Sequence, residues 1–117
     1  MNLPFRSGGS LNASKVPDAQ AAYETMMSIL PSVGAGVNFM LHAAGWLEGG
    51  LVSSPEKLVM DADQLAMVHI MQGGVDMSEN GQALDAIREV GPGGYYLGCD
   101  HTNRNWKSAL WESKLAN

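Results

Sequence analysis

The chain has 117 residues, of which 45% are hydrophobic and 16% are charged, and its formal net charge is −5. This length allows one small domain rather than two. The acidic balance argues against nucleic-acid binding, because phosphate recognition requires clustered Lys and Arg. A charged share below the roughly 25% of typical domains favours a segment that is buried on several sides.

Nothing in the sequence signals export or a membrane. The single cysteine, Cys99, cannot form an internal disulfide, which favours a reducing, cytoplasmic compartment. The first ten residues lack the apolar core of a signal peptide. No apolar run approaches the roughly 20 residues that cross a bilayer. We therefore expect a cytoplasmic chain with neither a membrane nor a nucleic-acid partner.

The first third of the chain predicts a strand followed by a helix. The strand is expected over residues 3–6 and runs into a glycine turn at 8–9. Pro17 and Asp18 then begin a helix, with the carboxylate at the positive end of the helix dipole. Apolar residues recur along it at three- and four-residue spacing, and Pro31 is expected to end it.

Residues 36–42 predict a second strand with two different faces. The face expected to pack in the core carries Val37, Phe39 and Leu41, and the opposite face carries Asn38, Met40 and His42. The second face is polar at the end of the strand, as expected for a strand that lines a site.

Two helices are expected to follow. The tripeptide Ser-Pro-Glu at 54–56 is a strong helix start, with Ser as the N-cap and Pro at the first helical position. This helix runs to about Gln72. A second helix begins near 78–79 and ends at 90–92. Its residues expected to face inward are Ala83, Leu84 and Ile87.

The last part of the chain predicts a third strand over 93–99 and a final helix from Thr102 to about Lys114. The alternation of strands and helices calls for parallel strands joined by right-handed crossovers. A sheet of only three parallel strands would leave its edges exposed. The pattern therefore predicts an α/β segment of a larger fold.

Functional groups in parallel α/β folds gather at the C-terminal ends of the strands. The side chains that follow the three predicted ends are Arg6 and Ser7, then His42, Trp46 and Glu48, then Cys99, Asp100, His101 and Asn103. The strands are otherwise nearly free of polar side chains, so these positions are the candidates for a site.

Each candidate also has a structural interpretation. His42 suits a hydrogen-bonded structural role as well as a ligand or base, and Glu48 suits a helix cap. Trp46 suits a plug over the core as well as an aromatic wall. Cys99 and His101, together with His42, leave a zinc site open, although no paired ligand spacing supports it. The glycine-rich segments lack the fingerprints of phosphate loops, so no nucleotide is expected.

Long stretches of the chain resemble one family. They are LPFRSGGS at 3–10, SKVPDAQAAYE at 14–24, GVNFMLHAAGWLEGGLVSSPEKLVMDADQLAM at 36–67 and GVDMSENGQALDAIREVGPGGYYLGCDHT at 74–102. These runs are similar to the C-terminal part of the trimethylamine methyltransferase family. That family includes trimethylamine:corrinoid methyltransferases and relatives without pyrrolysine, such as glycine betaine methyltransferase.

The resemblance implies a fold and an extent. The implied fold is a TIM (β/α)8 barrel, with parallel strands alternating with helices. A complete barrel takes about 250 residues. Residues 1–117 are therefore expected to form a single partial domain, a C-terminal fragment that holds the last strand–helix units.

The resemblance also implies a reaction. A methyl group moves from a tertiary or quaternary amine, such as trimethylamine or a betaine, to the cobalt(I) of a corrinoid on a partner protein. No cofactor or metal is expected to bind this chain directly, and the full-length enzyme is expected to be a homo-oligomer. The chain contains no pyrrolysine, which favours a quaternary amine.

On this interpretation the residues take two roles. The catalytic candidates are His42, Glu48, Asp100 and His101, and the substrate-binding candidates are Asn38, Trp46, Tyr95 and Tyr96. Aromatic faces and carboxylates suit a quaternary ammonium, which has no N–H to donate. Two alternatives stay open: an inactive partial barrel, and a zinc-dependent enzyme using His42, Cys99 and His101.

Overall fold

Two short parallel strands form the centre of the fold, in a computed structural model that describes residues 3–115. Strand β1 is Arg6–Gly9 and strand β2 is Phe39–His42. Arg6 lies opposite Phe39, and Gly9 lies opposite His42. The first strand was expected over 3–6, so that prediction was wrong by several residues. Gly9, which was expected in a turn, instead pairs with His42, because a residue without a Cβ can approach Met40 and the His42 carbonyl this closely.

Helix α1, Ala19–Gly34, connects the two strands. Its N-cap is Asp18, whose carboxylate accepts a hydrogen bond from the backbone N–H of Ala21 at 2.9 Å. Pro31 was expected to end the helix, but it lies inside the last turn. The helix continues because proline forfeits only one helical N–H there, while its carbonyl accepts from Ala35 N at 2.9 Å.

A small hairpin follows β2 and was not foreseen from the sequence. Strands β3, Trp46–Leu47, and β4, Val52–Ser53, pair antiparallel. A 3-10 turn, Glu48–Gly50, joins them. A strand of two residues is too short to show an alternation of apolar and polar side chains, so the sequence pattern does not predict it.

Helix α2, Pro55–Gln72, has the predicted limits. The Ser54 hydroxyl accepts from Lys57 N at 3.2 Å, as expected of the N-cap. At the other end, the N–H of Gly73 bonds to the carbonyls of His69 and Ile70. Both ends of α2 therefore follow from local sequence signals.

The helix expected over about 78–90 is broken in two. Helix α3 is Glu79–Gln82 and helix α4 is Leu84–Val90. Ala83 between them has φ 52°, a left-handed conformation that interrupts the helix. Leu84 and Ile87 were expected to face inward, but they are about half exposed; Ala86 is the buried residue of α4.

The third strand expected over 93–99 is absent. Residues Tyr96–Gly98 form a 3-10 helix, and Gly93 has a positive φ of 74°. No strand within residues 3–115 pairs with this segment, so its backbone bonds locally rather than in a ladder. The prediction of a third strand was therefore wrong for this structure.

The last helix, α5, is Asp100–Ala109, earlier at both ends than the predicted 102–114. Beyond it the chain turns back towards α2. The Asp63 carboxylate accepts from the Ser113 hydroxyl at 2.5 Å and from Lys114 N at 3.0 Å. These hydrogen bonds tie the segment after α5 to α2.

The described chain is flat and extended rather than spherical. Its radius of gyration is 18.8 Å, against about 13 Å for a compact domain of about 100 residues. Phe39 and Leu41, expected in the core, are 57% and 49% exposed. Among the described elements, α1 packs against β1, and these two side chains of β2 stay largely uncovered. No helix within residues 3–115 has both the length and the apolar character that a bilayer crossing needs.

The architecture is a mixed α/β arrangement with a parallel strand pair. Few apolar side chains are buried, so the hydrophobic core is small. They are Ala21, Ile29, Leu47, Val68, Ala86 and Cys99. Polar residues occupy much of the remaining interior, chiefly where α1 and α2 face the ends of the strands.

Candidate functional site

His42 is the last residue of β2, at the C-terminal end of the parallel pair. Its carbonyl accepts from the backbone N–H of Ser10 at 2.7 Å and from the Ser10 hydroxyl at 3.0 Å. Within the described residues, its buried ring nitrogen Nδ1 has no hydrogen-bond partner. The backbone of His42 is therefore firmly held, while that ring nitrogen is not used by the fold.

The ring of His42 contacts Trp46. The two ring centroids are 5.1 Å apart and the planes meet at 79°, an edge-to-face pair. Trp46 is half-buried, and its carbonyl accepts from Asn12 Nδ2 at 2.7 Å. The pair forms a half-open aromatic surface where β2 ends.

Glu48 lies two residues beyond Trp46 in an unusual backbone conformation. Its φ is 51°, although it carries a side chain, and Gly49 and Gly50 that follow are also left-handed. The N–H of Glu48 donates to Ser14 O at 2.8 Å, and that of Gly49 to Asn12 O at 2.7 Å. The surrounding loop thus imposes a conformation that costs a non-glycine residue about 1–2 kcal/mol.

The carboxylate of Glu48 is accessible. It is 40% exposed and lies 3.5 Å from Lys15 Nζ, whose side chain is 78% exposed. An ion pair this open to water contributes little to stability. Leu47, not Glu48, is the N-cap residue of the turn, so the carboxylate has no capping role there and is free for another one.

Asn38 lies at the opposite end of β2 from His42. Its side-chain oxygen accepts from Phe5 N at 2.7 Å, and its own N–H donates to Phe5 O at 2.9 Å. These bonds extend the pairing of the two strands by one step. At about 3.3 Å per residue, Asn38 is roughly 13 Å from His42 along the strand.

The candidates from the C-terminal part form a second group. Tyr95 is 76% and Tyr96 is 43% exposed. Asp100 begins α5, and the Nε2 atom of His101 lies 2.7 Å from Asn80 O. Asp100 and His101 line a cleft of about 570 Å³ between α3–α4 and α5.

The two groups face different spaces in the described chain. Glu48 lines a separate cleft of about 640 Å³, together with residues of α1 and the loop after β1. The third strand, which was expected to bring Asp100 and His101 to the same rim as His42, is a turn and a 3-10 helix. Within residues 3–115 the structure therefore joins His42 to Trp46, places Glu48 two residues further along beside a different cleft, and gives no contact between these residues and the second group.

The zinc alternative has no geometric support within residues 3–115. No group of three His, Cys, Asp or Glu side chains there is arranged to hold a metal ion. Cys99 is buried, and its sulfur lies 3.4 Å from the Thr102 hydroxyl. This side-chain hydrogen bond, followed by one from the Thr102 backbone, lowers the pKa of the Cys99 thiol below its usual 9.0.

A buried polar network beside the strand ends was missed in the sequence. Lys57 is 0% and Asp61 1% exposed, and their side chains form an ion pair one helical turn apart on α2. Lys57 Nζ also donates to Thr25 Oγ1 at 2.9 Å, and Thr25 Oγ1 donates to Ser10 O at 3.3 Å. We call Ser10, Thr25, Lys57 and Asp61 the buried network.

One signal for this network was present. Lys57 and Asp61 continue, at helical spacing, the stripe of α2 that buries Val68. An i, i+4 pair of opposite charges is more often a solvent-exposed pair, so the pattern alone favours the surface. The packing of α1 against α2 places it inside.

The fold and the site define an α/β protein whose candidate binding residues follow the carboxyl end of a parallel strand. Residues 1–117 match the family model described as trimethylamine methyltransferase (MTTB). The chain therefore belongs to the trimethylamine methyltransferase family.

Individual relatives agree with this assignment. Over 97% of its length the chain is 45% identical to a glycine betaine methyltransferase of Desulfitobacterium hafniense strain Y51, and it covers 24% of that protein. It is 40% identical over 87% of its length to the trimethylamine methyltransferase MttB of Methanosarcina barkeri, covering 20% of it. An MttB of D. hafniense strain DSM 10664 is 32% identical and is covered to 23%. The chain thus spans between a fifth and a quarter of the length of these relatives.

Proposed function

We propose that this chain is part of a methyltransferase that moves a methyl group from a quaternary or tertiary amine to the cobalt(I) of a corrinoid on a partner protein. The observation that carries the proposal is the 45% identity to a glycine betaine methyltransferase along nearly the whole chain. The expected architecture is a TIM barrel, of which β1, α1 and β2 are one strand–helix–strand unit.

The aromatic pair and Glu48 suit the cationic end of such a substrate. A quaternary ammonium cannot donate a hydrogen bond, so it is bound by ring faces and by nearby negative charge. Trp46 and His42 present a half-open ring surface, and Glu48 adds an accessible carboxylate two residues away. In the closed barrel, Tyr95, Tyr96, Asp100 and His101 remain candidates for the other side of the pocket.

The proposed reaction is an in-line displacement. A corrinoid on the partner would supply cobalt(I) as the nucleophile for the methyl carbon, and the C–N bond would break with its electron pair kept by nitrogen. A quaternary amine would then leave uncharged, whereas a tertiary amine would have to be protonated on nitrogen to leave uncharged. The residues of this chain hold the amine in line with the attacking centre, and catalysis comes from this positioning.

Glu48 and the indole of Trp46 are expected to act mainly in binding. The positive charge on nitrogen diminishes as the C–N bond breaks, so a carboxylate attracts the bound substrate more than the transition state. An interaction of that kind lowers KM without raising kcat. His42, whose Nδ1 is unused by the fold, is the residue we place beside the reacting methyl group.

A quaternary amine is the proposed substrate class. Among the three relatives compared above, identity is highest to the glycine betaine enzyme, at 45% against 40% and 32% for the two MttB proteins. A cognate corrinoid protein is the expected partner, and self-association of the full-length enzyme is expected as well.

A chimera tests the proposal. Residues 1–117 of this chain replace the matching segment of the D. hafniense glycine betaine methyltransferase, and methylation of cobalt(I) cobalamin is followed by its absorbance. We expect activity with glycine betaine in the chimera. His42→Ala should lower kcat/KM by more than about tenfold, which is the scale of one lost active-site interaction. Its melting temperature should stay close to that of the parent.

His69→Ala is the matched control, because His69 is exposed on α2. It should change neither activity nor stability. An inactive but folded chimera would argue against the proposed function. Equal losses of activity and stability in His42→Ala would return His42 to a structural role.

A second candidate is that the chain alone is an inactive partial barrel. The flat shape, with a radius of gyration of 18.8 Å, favours it. The 117-residue chain, assayed beside the chimera under the same conditions, should then show no methyl transfer. Activity of the isolated chain would exclude this candidate.

A further inference from the structure

The buried network fastens both ends of the segment between His42 and Trp46. At one end, Ser10 donates twice to the His42 carbonyl. At the other, Asp61 Oδ2 accepts from the N–H of Gly45 at 2.8 Å. The links between Ser10 and Asp61 run through Thr25 and Lys57. Residues 42 and 45 are therefore tied to the same ion pair.

Gly45 is the better defined of the two attachment points. It is buried, with φ 82°, and a Cβ there would lie 3.3 Å from the Cβ of Leu58 on α2. Its carbonyl accepts from Ser54 N at 2.9 Å, while its N–H donates to Asp61. Ser54, the N-cap of α2, and Asp61 in α2 thus bind both backbone polar groups of Gly45, the residue that precedes Trp46.

A stability role alone does not account for a buried ion pair. Taking both charges out of water is costly, and well-packed apolar residues of the same size are often as stable or more so. What apolar residues cannot supply is a directed acceptor for the Gly45 N–H. The useful property of Asp61 is therefore its second oxygen, and Lys57 keeps that carboxylate buried and oriented.

We propose that Asp61, oriented by Lys57, is a positioning residue that sets the His42–Trp46 ring pair for the methylammonium group of the substrate. This inference rests on the proposed function. A displacement of about 1 Å in a group that positions a reacting centre can lower the rate on the order of 100-fold. The buried network gives the chain a way to prevent such displacement in a loop of small residues, Ala43 to Gly45.

Two double variants test the inference, and they differ only at position 61, where one has Asn and the other has Leu. Lys57→Met/Asp61→Asn removes both charges but keeps a side-chain oxygen for Gly45. Lys57→Met/Asp61→Leu removes the charges and the acceptor together. Both replace the ion pair by neutral groups of similar size, so neither leaves a buried charge without a partner.

The first measurement uses the 117-residue chain. Hydrogen exchange at the Gly45 amide should be about tenfold faster in the Leu variant than in the Asn variant, the effect of losing one hydrogen bond. With Trp106→Phe and Trp111→Phe as background, the fluorescence of Trp46 should change in the Leu variant only. Equal exchange and fluorescence in the two variants would overturn the inference, whether or not the chimera is active.

The second measurement uses the chimera. The Leu variant should lose on the order of 100-fold in kcat/KM for glycine betaine, with most of the loss in kcat, and the Asn variant should stay close to the parent. Equal activity in both variants would overturn the positioning role. Equal losses in both would overturn it too, because the acceptor would not then matter. An inactive parent chimera would count against the proposed function. The inference would then be tested by the hydrogen-exchange comparison of the Leu and Asn variants.

Discussion

The imidazole of His42 and the indole of Trp46 meet edge to face, with centroids 5.1 Å apart and planes at 79°. An edge-to-face contact covers one face of one ring, so this contact by itself leaves the other ring faces uncovered, and both residues are partly exposed. The contact spans the end of β2 and the start of β3, which are held in place by Ser10 and by Asn12. The positions of the two rings therefore depend on the hydrogen bonds that hold the backbone carbonyls of His42 and Trp46.

Trp46→Leu should weaken substrate binding in the chimera. A cation on an aromatic face gains about 1–2 kcal/mol, so KM for glycine betaine should rise by roughly tenfold, while kcat changes little. Trp46→Phe keeps a ring and should raise KM less. Equal KM values for Leu and Phe would show that the ring face does not bind the substrate. The measurement is steady-state kinetics of cobalamin methylation.

Glu48→Gly should separate stability from binding. Glycine relieves the left-handed backbone at φ 51°, so the free energy of unfolding should stay the same or rise by up to about 1 kcal/mol. KM should nevertheless rise, as in Glu48→Gln, because the carboxylate is lost. Lys15→Ala breaks the same surface ion pair but keeps the carboxylate, and it should leave KM unchanged. A raised KM in Lys15→Ala would assign the effect to the ion pair instead.

Gly9→Ala should destabilise the paired strands. Gly9 has φ +94°, and a Cβ there would lie 2.6 Å from Met40 Cγ and 3.0 Å from the His42 carbonyl. The strain and the clash together are expected to cost about 1–3 kcal/mol. Gly34→Ala is the matched control, since its Cβ would meet nothing within 4 Å; it should be neutral or gain up to about 1 kcal/mol. Urea unfolding followed by circular dichroism measures both, and similar values would contradict the close approach at Gly9.

Asp18 should make the stability of α1 depend on pH. Hydrogen bonds from Ala21 N and then from the Ser14 hydroxyl lower the pKa of this carboxyl below its usual 3.8. A lowered pKa in the folded state gives stability that is present above pH 3.8 and lost as the pH falls through the folded value. Asp18→Ala should therefore have a lower melting temperature than the parent at neutral pH, and the difference should vanish in strong acid.

The control for this prediction is Asp85→Ala, which removes a carboxylate whose side chain is 98% exposed. It should differ little from the parent at either pH. A difference between Asp18→Ala and the parent that persists unchanged in acid would show that the charge of the cap is not what stabilises α1.

Local signals in the sequence predicted the elements whose ends carry caps. Ser54 and Pro55 set the start of α2, and Gly73 its end, because capping hydrogen bonds involve residues within one turn. Asp18 did the same for α1. The parallel direction of β1 and β2 followed from the helix between them. The third strand failed because a strand exists only with a partner, and no partner lies in the described chain.

The candidate site was predictable as a list of residues but not as an arrangement. His42 and Trp46 are four residues apart and their rings meet, while Glu48 follows two residues later and lines a different cleft. The left-handed backbone at Glu48 depends on Ser14 and Asn12, more than thirty positions earlier. Asp100 and His101 were expected beside His42, and the strand that would have placed them there did not form.

The amino-acid order alone was enough to indicate the family, the helix starts and the polar end of β2, because each of these depends on residues that are neighbours in the sequence. It was not enough to place Lys57 and Asp61, which lie one turn apart and resemble an ordinary surface pair. Their burial depends on Thr25, 32 residues from Lys57, and on Gly45, 16 residues from Asp61. The packing of α1 on α2 removes water from these two charges. In that packed arrangement the Asp61 carboxylate accepts a hydrogen bond from the N–H of Gly45, the residue before Trp46.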